Sequence, residues 1–278
     1  FNPKYVSSYL SAIISDNNYN NDDSLKYFNS SKKLINKHEK FLEKYVINQV
    51  SNGEVQKTIN ILKKNRNKDN SNFFEANLLL LVDNFKKKKF ENNIELLNEF
   101  ERYQGNGNYE YIIYEVLKNF NDLFLSKKIN PNKKNFGKLS LINQAFQYCY
   151  LNQPETSSTF INLINSSEGD YSRYMFFYLN NLIRNKDFES ANHLSKTINI
   201  LESNLLTQQS KQWVDQANYN KFNKIFSCEN EEDILAEFFF LISNFLSADE
   251  NFKKSNFYSN VSNYLNPKFY FNLTHLIS

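Results

Sequence analysis

Apolar residues recur three and four positions apart through most of the chain, and short polar clusters interrupt this pattern. Leu25 and Phe28 are three apart in one segment, and Ile59 and Leu62 in another. This spacing places the apolar side chains on one face of an α-helix. The pattern therefore predicts an all-α protein of antiparallel helix pairs, with helices over residues 5–14, 22–35, 39–50, 54–64, 73–85, 90–103, 109–126, 139–151, a partner opened by Pro154, 171–184, 188–201, 205–226, 234–246 and 251–265.

A polar turn followed by a small or polar residue within the next helix recurs along the chain. Its best copy is the stretch from Asn185 to Ala191. Equivalent residues follow one another in steps of 34, 35, 64 and 34 residues, and we interpret the 64 as two periods with a degenerate unit inside. A period of this size indicates a helical repeat. The equivalent residues are Ser24, Thr58, Asn93, Ser157 and Ala191.

The repeats predict one continuous α-solenoid with three parts. Residues 1–108 hold three repeats, residues 109–136 a degenerate repeat or an insertion, and residues 137–278 further repeats. Residues 269–278 are interpreted as the first helix of a pair cut off before its partner. In such an array each repeat packs on its neighbours, so that stability is spread along the chain.

Small residues also keep a fixed spacing inside several units. A small residue in the first helix is followed by another twelve positions later and a third after seven more. Two helix backbones can approach closely only where the side chains between them are small. The last unit has Ser243, Ser255 and Ser262 with Pro267 after them, the first has Ala12, Ser24 and Ser31 with Asn36, and the fifth has Ala145 and Ser157.

On these residues the chain resembles the tetratricopeptide repeat superfamily, whose members are right-handed stacks of antiparallel helix pairs. Val46, Leu81 and Leu179 depart from the family pattern at the first small position. The heavy use of Asn and Lys is typical of an AT-rich genome, and we interpret the chain as a bacterial member. The resemblance implies a non-catalytic scaffold that binds a peptide or a partner protein on its concave face.

The charge of the chain is nearly balanced, with 33 basic and 30 acidic residues and a net charge of +3. This balance does not predict nucleic-acid binding. The strongest local charge is the lysine run at residues 86–89. With the repeat period, that run keeps a pentatricopeptide-like RNA binder as the alternative hypothesis. A non-catalytic part of a larger enzyme is a third.

No motif in the sequence predicts catalysis, a metal or a cofactor. His38 and Glu39 begin like the zinc-binding helix of a metalloprotease, in which a second histidine stands four residues after the first. That position is Leu42, so no metal site is predicted. The two cysteines, Cys149 and Cys228, are too few for a disulfide framework or a metal cage. Each is predicted to be a small buried apolar residue.

Partner binding is predicted on the first helices, which line the concave face in this family. Arg173, Asn180 and Arg184 share one helix face and are polar where core residues would be apolar. An Asn can hold a peptide backbone and an Arg can hold carboxylates. Phe177 and Tyr150 complete the predicted partner-binding set.

The longest apolar runs are much shorter than the ~20 residues of a membrane-spanning helix. The sequence therefore predicts a soluble protein, cytoplasmic or periplasmic. The chain opens with Phe1 instead of Met, and we interpret this start as a cut.

Overall fold

The computed structural model describes residues 2–38, 40–66, 69–100, 109–130, 134–166 and 172–273. Helices dominate these residues and no strand is found among them, which confirms the all-α prediction. The α-helices are α1 Pro3–Asn17, α2 Asn21–Ser30, α3 Phe41–Ser51, α4 Val55–Asn65, α5 Phe74–Lys86, α6 Asn93–Phe100, α7 Tyr109–Ser126, α8 Lys138–Tyr150, α9 Glu155–Ile164, α10 Tyr174–Arg184, α11 Phe188–Lys196, α12 Leu205–Asp215, α13 Asn220–Ile225, α14 Glu231–Ala248 and α15 Phe252–Leu265. Short 3₁₀ turns lie at Lys32–Leu34, Asp69–Ser71, Phe90–Asn92 and Tyr270–Leu273.

The same helix ending recurs in seven helices of the described chain. In each, one residue with positive φ follows the helix, and the next backbone N–H donates to the carbonyl five residues earlier, which is the Schellman motif. In α1, for example, Tyr19 has a φ of 56° and the N–H of Asn20 donates to the carbonyl of Ser15 over 2.9 Å. The positive-φ residues are Tyr19, Gly53, Lys88, Asn152, Lys186, Ala217 and Glu250, after α1, α3, α5, α8, α10, α12 and α14.

These endings show the repeat more clearly than the residue types do. The backbone conformation recurs even though six of the seven positive-φ residues are not glycine. Each turns the chain back into a second helix. Polar side chains then cap several of these second helices: Asn20 accepts from the N–H of Asp23, and Asp187 accepts from the N–H of Ser190.

The small residues lie where paired helices meet. Ser24 is fully buried, and its Oγ donates to the carbonyl of Ala12 over 3.2 Å. In the last pair, the Oγ of Ser243 donates to the carbonyl of Ser255 over 2.9 Å. A hydroxyl can reach a carbonyl on the facing helix only when the two backbones are close. Ser157 is partly exposed, however, and its neighbour Thr156 is the buried residue.

The described chain divides into two compact units. The first comprises residues up to 111 and residues 236–265. In it α2 packs on α3, and both α3 and α4 pack on α5. The late helix α15 also packs on α3, α4 and α5. Its aromatic core at the amino-terminal end contains Tyr9, Phe28, Phe41 and Tyr45.

The second unit comprises residues 112–235 and 266–273. In it α8 packs on α9, α9 on α10, and α10 on α11, α12 and α13. Phenylalanine rings fill its centre, with Phe177 lying 4.7 Å from Phe226 and 5.0 Å from Phe146 between ring centroids. Phe269 joins the same cluster, 5.5 Å from Phe176.

Several predicted helices differ from the structure; the predicted helix over residues 22–35, for example, is α2 followed by the 3₁₀ turn Lys32–Leu34. The predicted helix over residues 205–226 is two helices, α12 and α13, separated by Ala217 with a φ of 53°. An alanine in this conformation gives no sequence signal, because the left-handed region normally favours glycine. The predicted helix at the carboxyl-terminal end begins instead with the 3₁₀ turn Tyr270–Leu273, and residues 274–278 lie outside the described ranges.

Candidate functional site

Two of the predicted partner-binding residues lie in the core of the second unit. Phe177 is fully buried among phenylalanine rings, and Asn180 is 1% exposed. The Nδ2 of Asn180 donates to the carbonyl of Phe226 over 3.0 Å. In this structure neither side chain presents a surface to a partner.

Arg184 lies at the end of α10 and is partly buried. Its Nη2 donates to the carbonyl of Cys149 over 2.9 Å and to the Oδ1 of Asn152 over 2.7 Å. Desolvation by burial lowers the pKa of the guanidinium, although the charge of Glu229 opposes this shift. The side chain of Arg184 therefore stabilises the end of α8, because the last carbonyls of a helix lack donors within the helix.

The two cysteines form a disulfide bond. Cys149, near the end of α8, is bonded to Cys228, between α13 and α14, with 5.7 Å between the two Cα atoms. Both residues are fully buried, as predicted. The expectation of two independent buried thiols was wrong, because the fold brings together residues that are 79 positions apart.

Tyr150 belongs to the same neighbourhood. Its hydroxyl donates to the Oε1 of Glu231 over 2.7 Å and accepts from the Nζ of Lys127, whose ammonium lies 4.6 Å from the centre of the tyrosine ring. Burial, followed by the interaction with Glu231, raises the pKa of Tyr150. The residue ties α8 to the start of α14 and stays a neutral phenol.

Arg173 precedes α10 and contacts a different segment. Its guanidinium donates to the Oδ1 of Asn272 and lies 5.2 Å from the centre of the Phe269 ring and 5.8 Å from that of Phe177. A guanidinium over an aromatic face is attracted to the ring quadrupole. Arg173 thus holds the 3₁₀ turn at Tyr270–Leu273 in the second unit.

Three of the predicted residues contact residues 225–233, which we call the 225–233 segment: Phe177 and Asn180 contact Phe226, and Tyr150 contacts Glu231. Besides the contacts above, the Nδ2 of Asn266 donates to the carbonyl of Ile225 over 2.8 Å. The N–H of Ser227 donates to the Oδ2 of Asp233 over 2.8 Å. Burial raises the pKa of Asp233 to about 6, although the hydrogen bonds from Ser227 and Asn230 act to lower it. The polar residues that sequence reasoning assigned to a partner contact their own chain here.

A groove that sequence reasoning missed lies between α9, α10 and α11. Its volume is about 470 Å³. Most of its surface is apolar, and Ile161 on its wall is 40% exposed. The lining residues are Ile161, Ile164, Asn165, Met175, Tyr178, Leu182, Ser190, His193, Leu194 and Thr197.

The sequence prediction placed partner binding on the first helix of each pair and therefore did not include this groove. Ile161 and Leu194 lie on the second helices α9 and α11. The sequence does carry one signal: Ile161, Ile164 and, later, Leu194 are aliphatic on short helices that otherwise carry many polar residues. Exposed aliphatic residues lining a concavity are typical of binding sites.

The lysine run is engaged within the first unit. The Nζ of Lys87 donates to both carboxylate oxygens of Asp83, at 2.8 and 2.9 Å. The Nζ of Lys86 donates to the carbonyl of Tyr264 and lies 4.0 Å from the centre of its ring. Lys86 and Lys87, in the run that motivated the RNA hypothesis, therefore have intramolecular partners.

Within the described ranges, no group of three or more His, Cys, Asp or Glu residues could hold a metal ion. No helix in the same ranges is both long and apolar enough to cross a membrane. The sequence also predicts a sharp turn at residues 105–108, which contain two glycines, and these residues lie outside the described ranges.

Comparison with known proteins gives no relative. No protein-family profile matches the chain, and neither a curated protein nor a solved structure matches it. The resemblance to tetratricopeptide repeats therefore stays a prediction from the residues.

Proposed function

We propose that the chain is a tetratricopeptide-like helical-repeat protein, an α-solenoid that acts as a non-catalytic protein-interaction scaffold. Two observations support the repeat: the Schellman ending recurs at intervals of 31 to 35 residues, with one double interval of 64, and small residues such as Ser24 lie between paired helices. Within each unit, neighbouring hairpins pack on one another, as they do in repeat proteins.

The observation that carries the binding function is the groove between α9, α10 and α11. Met175 and Leu182 give it apolar surface, and His193 and Ser190 add polar groups from α11. A groove of this size accepts one or two large apolar side chains, with polar groups left to orient the backbone that carries them. The partner we propose is a polypeptide segment with a large aliphatic or aromatic anchor. A flexible methionine in the lining suits such an anchor.

The two alternatives have less support. An RNA-binding repeat needs lysines that are free to meet phosphates, and Lys86 and Lys87 bind their own chain. A non-catalytic part of a larger enzyme is compatible with the same groove, because the partner would then be the catalytic chain. The groove chemistry favours a protein partner in both cases.

The proposal is tested with the full chain and one pair of matched variants. Ile161→Asp places a carboxylate in the groove wall, where an apolar anchor would leave it desolvated and unpaired. Leu201→Asp is the control: Leu201 is 94% exposed and lies outside the groove lining. Circular dichroism and melting curves first establish that both variants fold like the wild type.

Partners are captured from nuclease-treated and untreated lysate, purified, and titrated against the three chains. We expect a protein captured in both lysates whose affinity falls about tenfold or more with Ile161→Asp, which corresponds to about 1.4 kcal/mol, and stays unchanged with Leu201→Asp. Equal affinities for all three chains would overturn the assignment to this groove. Recovery of RNA alone, lost after nuclease treatment, would overturn the scaffold proposal in favour of the RNA binder.

A further inference from the structure

The disulfide between Cys149 and Cys228 lies in the interior of the second unit. The chain contains two cysteines, and this bond uses both. Each is 0% exposed. A disulfide is attacked by a thiolate that must reach one of its sulfur atoms, so burial protects the bond from exchange as long as the unit stays folded.

The backbone on both sides of the bond is held by other side chains. Arg184 donates to the carbonyl of Cys149, and Asn180 donates to the carbonyl of Phe226, two residues before Cys228. Tyr150, next to Cys149, donates to Glu231 at the start of α14. These three contacts hold the backbone on both sides of the bond in the folded chain.

We propose that the Cys149–Cys228 bond is a permanent structural cross-link and that the protein matures and works in an oxidising compartment. Persistent disulfides are common in such compartments and rare where thiol reductants dominate. The inference does not depend on the proposed partner groove. It does restrict partners to proteins of the same compartment.

The bond forms by thiol–disulfide exchange with an external disulfide, either a small molecule or an oxidoreductase. The thiolate of one cysteine attacks the external disulfide and forms a mixed disulfide, releasing one thiol. The second cysteine then attacks the mixed disulfide and releases the second thiol. The chain loses two protons and two electrons, and the external disulfide gains them to give two thiols. Because both sulfur atoms are buried in the final fold, this exchange precedes the closing of the 225–233 segment.

The first test determines the state of the thiols in the cells from which the chain comes. Acid quenching, denaturation with an alkylating reagent, reduction, and labelling with a second reagent give the oxidised fraction of each cysteine by mass spectrometry. We expect both cysteines to carry the second label, and a parallel digest made without reduction to contain a peptide pair linked through residues 149 and 228. Predominant labelling by the first reagent would show free thiols in the cell and overturn the proposal.

The second test separates a permanent cross-link from a redox switch. The purified full chain is incubated in reductant with the alkylating reagent, with and without denaturant. We expect labelling at least roughly 100-fold slower in the native chain, because it requires opening of the unit. Comparable rates in the two conditions would make the bond accessible and overturn its permanence.

The matched variant carries both Cys149→Ser and Cys228→Ser, and it is compared with the reduced wild type. The double variant and the reduced wild type should each melt roughly 6–12 °C below the oxidised protein, because the cross-link closes a 79-residue separation in the unfolded chain. If the double variant does not fold, the melting shift of the wild type on reduction decides by itself. An unchanged melting temperature on full reduction would overturn the structural role.

Discussion

The two units bring distant parts of the chain together by different chemistry. In the first unit, α15 crosses the turn ends of three hairpins through polar contacts: Lys253 donates to Asp16, Asn260 to the carbonyl of Ser51, and Tyr264 to Asp83. In the second unit, a buried disulfide and a cluster of phenylalanine rings do the same work. The first closure thus includes charged and polar contacts to α15, and the second adds a covalent bond and a cluster of aromatic rings.

The difference predicts different sensitivities. Polar contacts at the edge of a unit stabilise it by about 0.5–1.5 kcal/mol each, and more when a charge is involved. Buried aromatic packing contributes several times as much at each ring. The first unit should therefore respond to pH and salt, and the second unit to core truncation and reductant.

The largest expected effect comes from Phe177→Ala in the second unit. Phe177 contacts five rings within about 6 Å, and its removal leaves a cavity in the aromatic cluster. We expect a loss of about 3–5 kcal/mol in the free energy of unfolding, measured by denaturant titration.

Phe188→Ala is the matched control. Phe188 is 39% exposed and stacks on Tyr219 with 4.5 Å between ring centroids. Its truncation should cost about 1 kcal/mol or less, because an exposed ring gains little by burial. Equal losses for the two variants would contradict the aromatic core of the second unit. They would also restore Phe177 as a candidate for partner binding.

The sequence predicts the hairpins because their signal is local. Apolar spacing within ten to fifteen residues locates most helices, and polar turns locate most hairpin ends. Ala217 shows the limit, since it takes a left-handed conformation that its residue type does not signal. The prediction for residues 205–226 was wrong for that reason.

The site predictions rest on long-range contacts, which a single sequence does not encode visibly. Arg184 and Asn180 looked like binding residues because they are polar on a helix that faces the core. The structure gives them backbone carbonyls of Cys149 and Phe226 as acceptors. Neither those acceptors nor the pairing of Cys149 with Cys228 can be deduced from spacing along the chain.

The packing of α15 on α3 is a further long-range contact: the Oγ of Ser51 donates to the carbonyl of Lys253, 202 positions later in the chain, over 3.3 Å. A purely nearest-neighbour array does not need such a contact. It means that a cut between repeats in the first unit removes contacts from both of its sequence segments. In a repeat array, pieces cut at a repeat boundary are expected to stay folded, and this expectation is best tested outside the first unit.

A smaller effect is expected from Asp83→Asn in the first unit. Asp83 is 1% exposed, and its carboxylate accepts from Lys63 at 2.5 Å and from Lys87. Burial raises the pKa of Asp83, but the hydrogen bonds from the two lysines outweigh it and hold the pKa below the ordinary value of 3.8. Because both ammonium groups are partly exposed, we expect the substitution to cost about 1–2 kcal/mol at pH 7.

The pH dependence of this variant sharpens the comparison. A carboxyl whose pKa is lower in the folded state stabilises the fold above pH 3.8 and loses that contribution as the pH falls through the folded pKa. Wild-type stability should therefore fall more steeply below pH 4 than that of Asp83→Asn, in denaturant titrations at several pH values. Asp249→Asn, at an exposed site in the same unit, should keep the wild-type slope. If stability fell equally with pH in the wild type and in Asp83→Asn, the carboxylate of Asp83 would not contribute to the stability of the first unit as proposed.

The smallest expected effect is that of Tyr264→Phe, which probes a single hydroxyl of α15. This hydroxyl donates to the Oε1 of Gln56 over 2.9 Å and reaches the Oδ1 of Asp83 at 3.4 Å. Phenylalanine keeps the ring under the ammonium of Lys86 and removes these hydrogen bonds. We expect a loss of about 0.5–1 kcal/mol, while Tyr19→Phe at a 68% exposed position should cost nothing measurable. In the Asp83→Asn background the loss should shrink, because the two residues share one contact and their effects are not additive. Full additivity would mean that Tyr264 and Asp83 stabilise the first unit independently, and that α15 is held by packing rather than by a connected polar network.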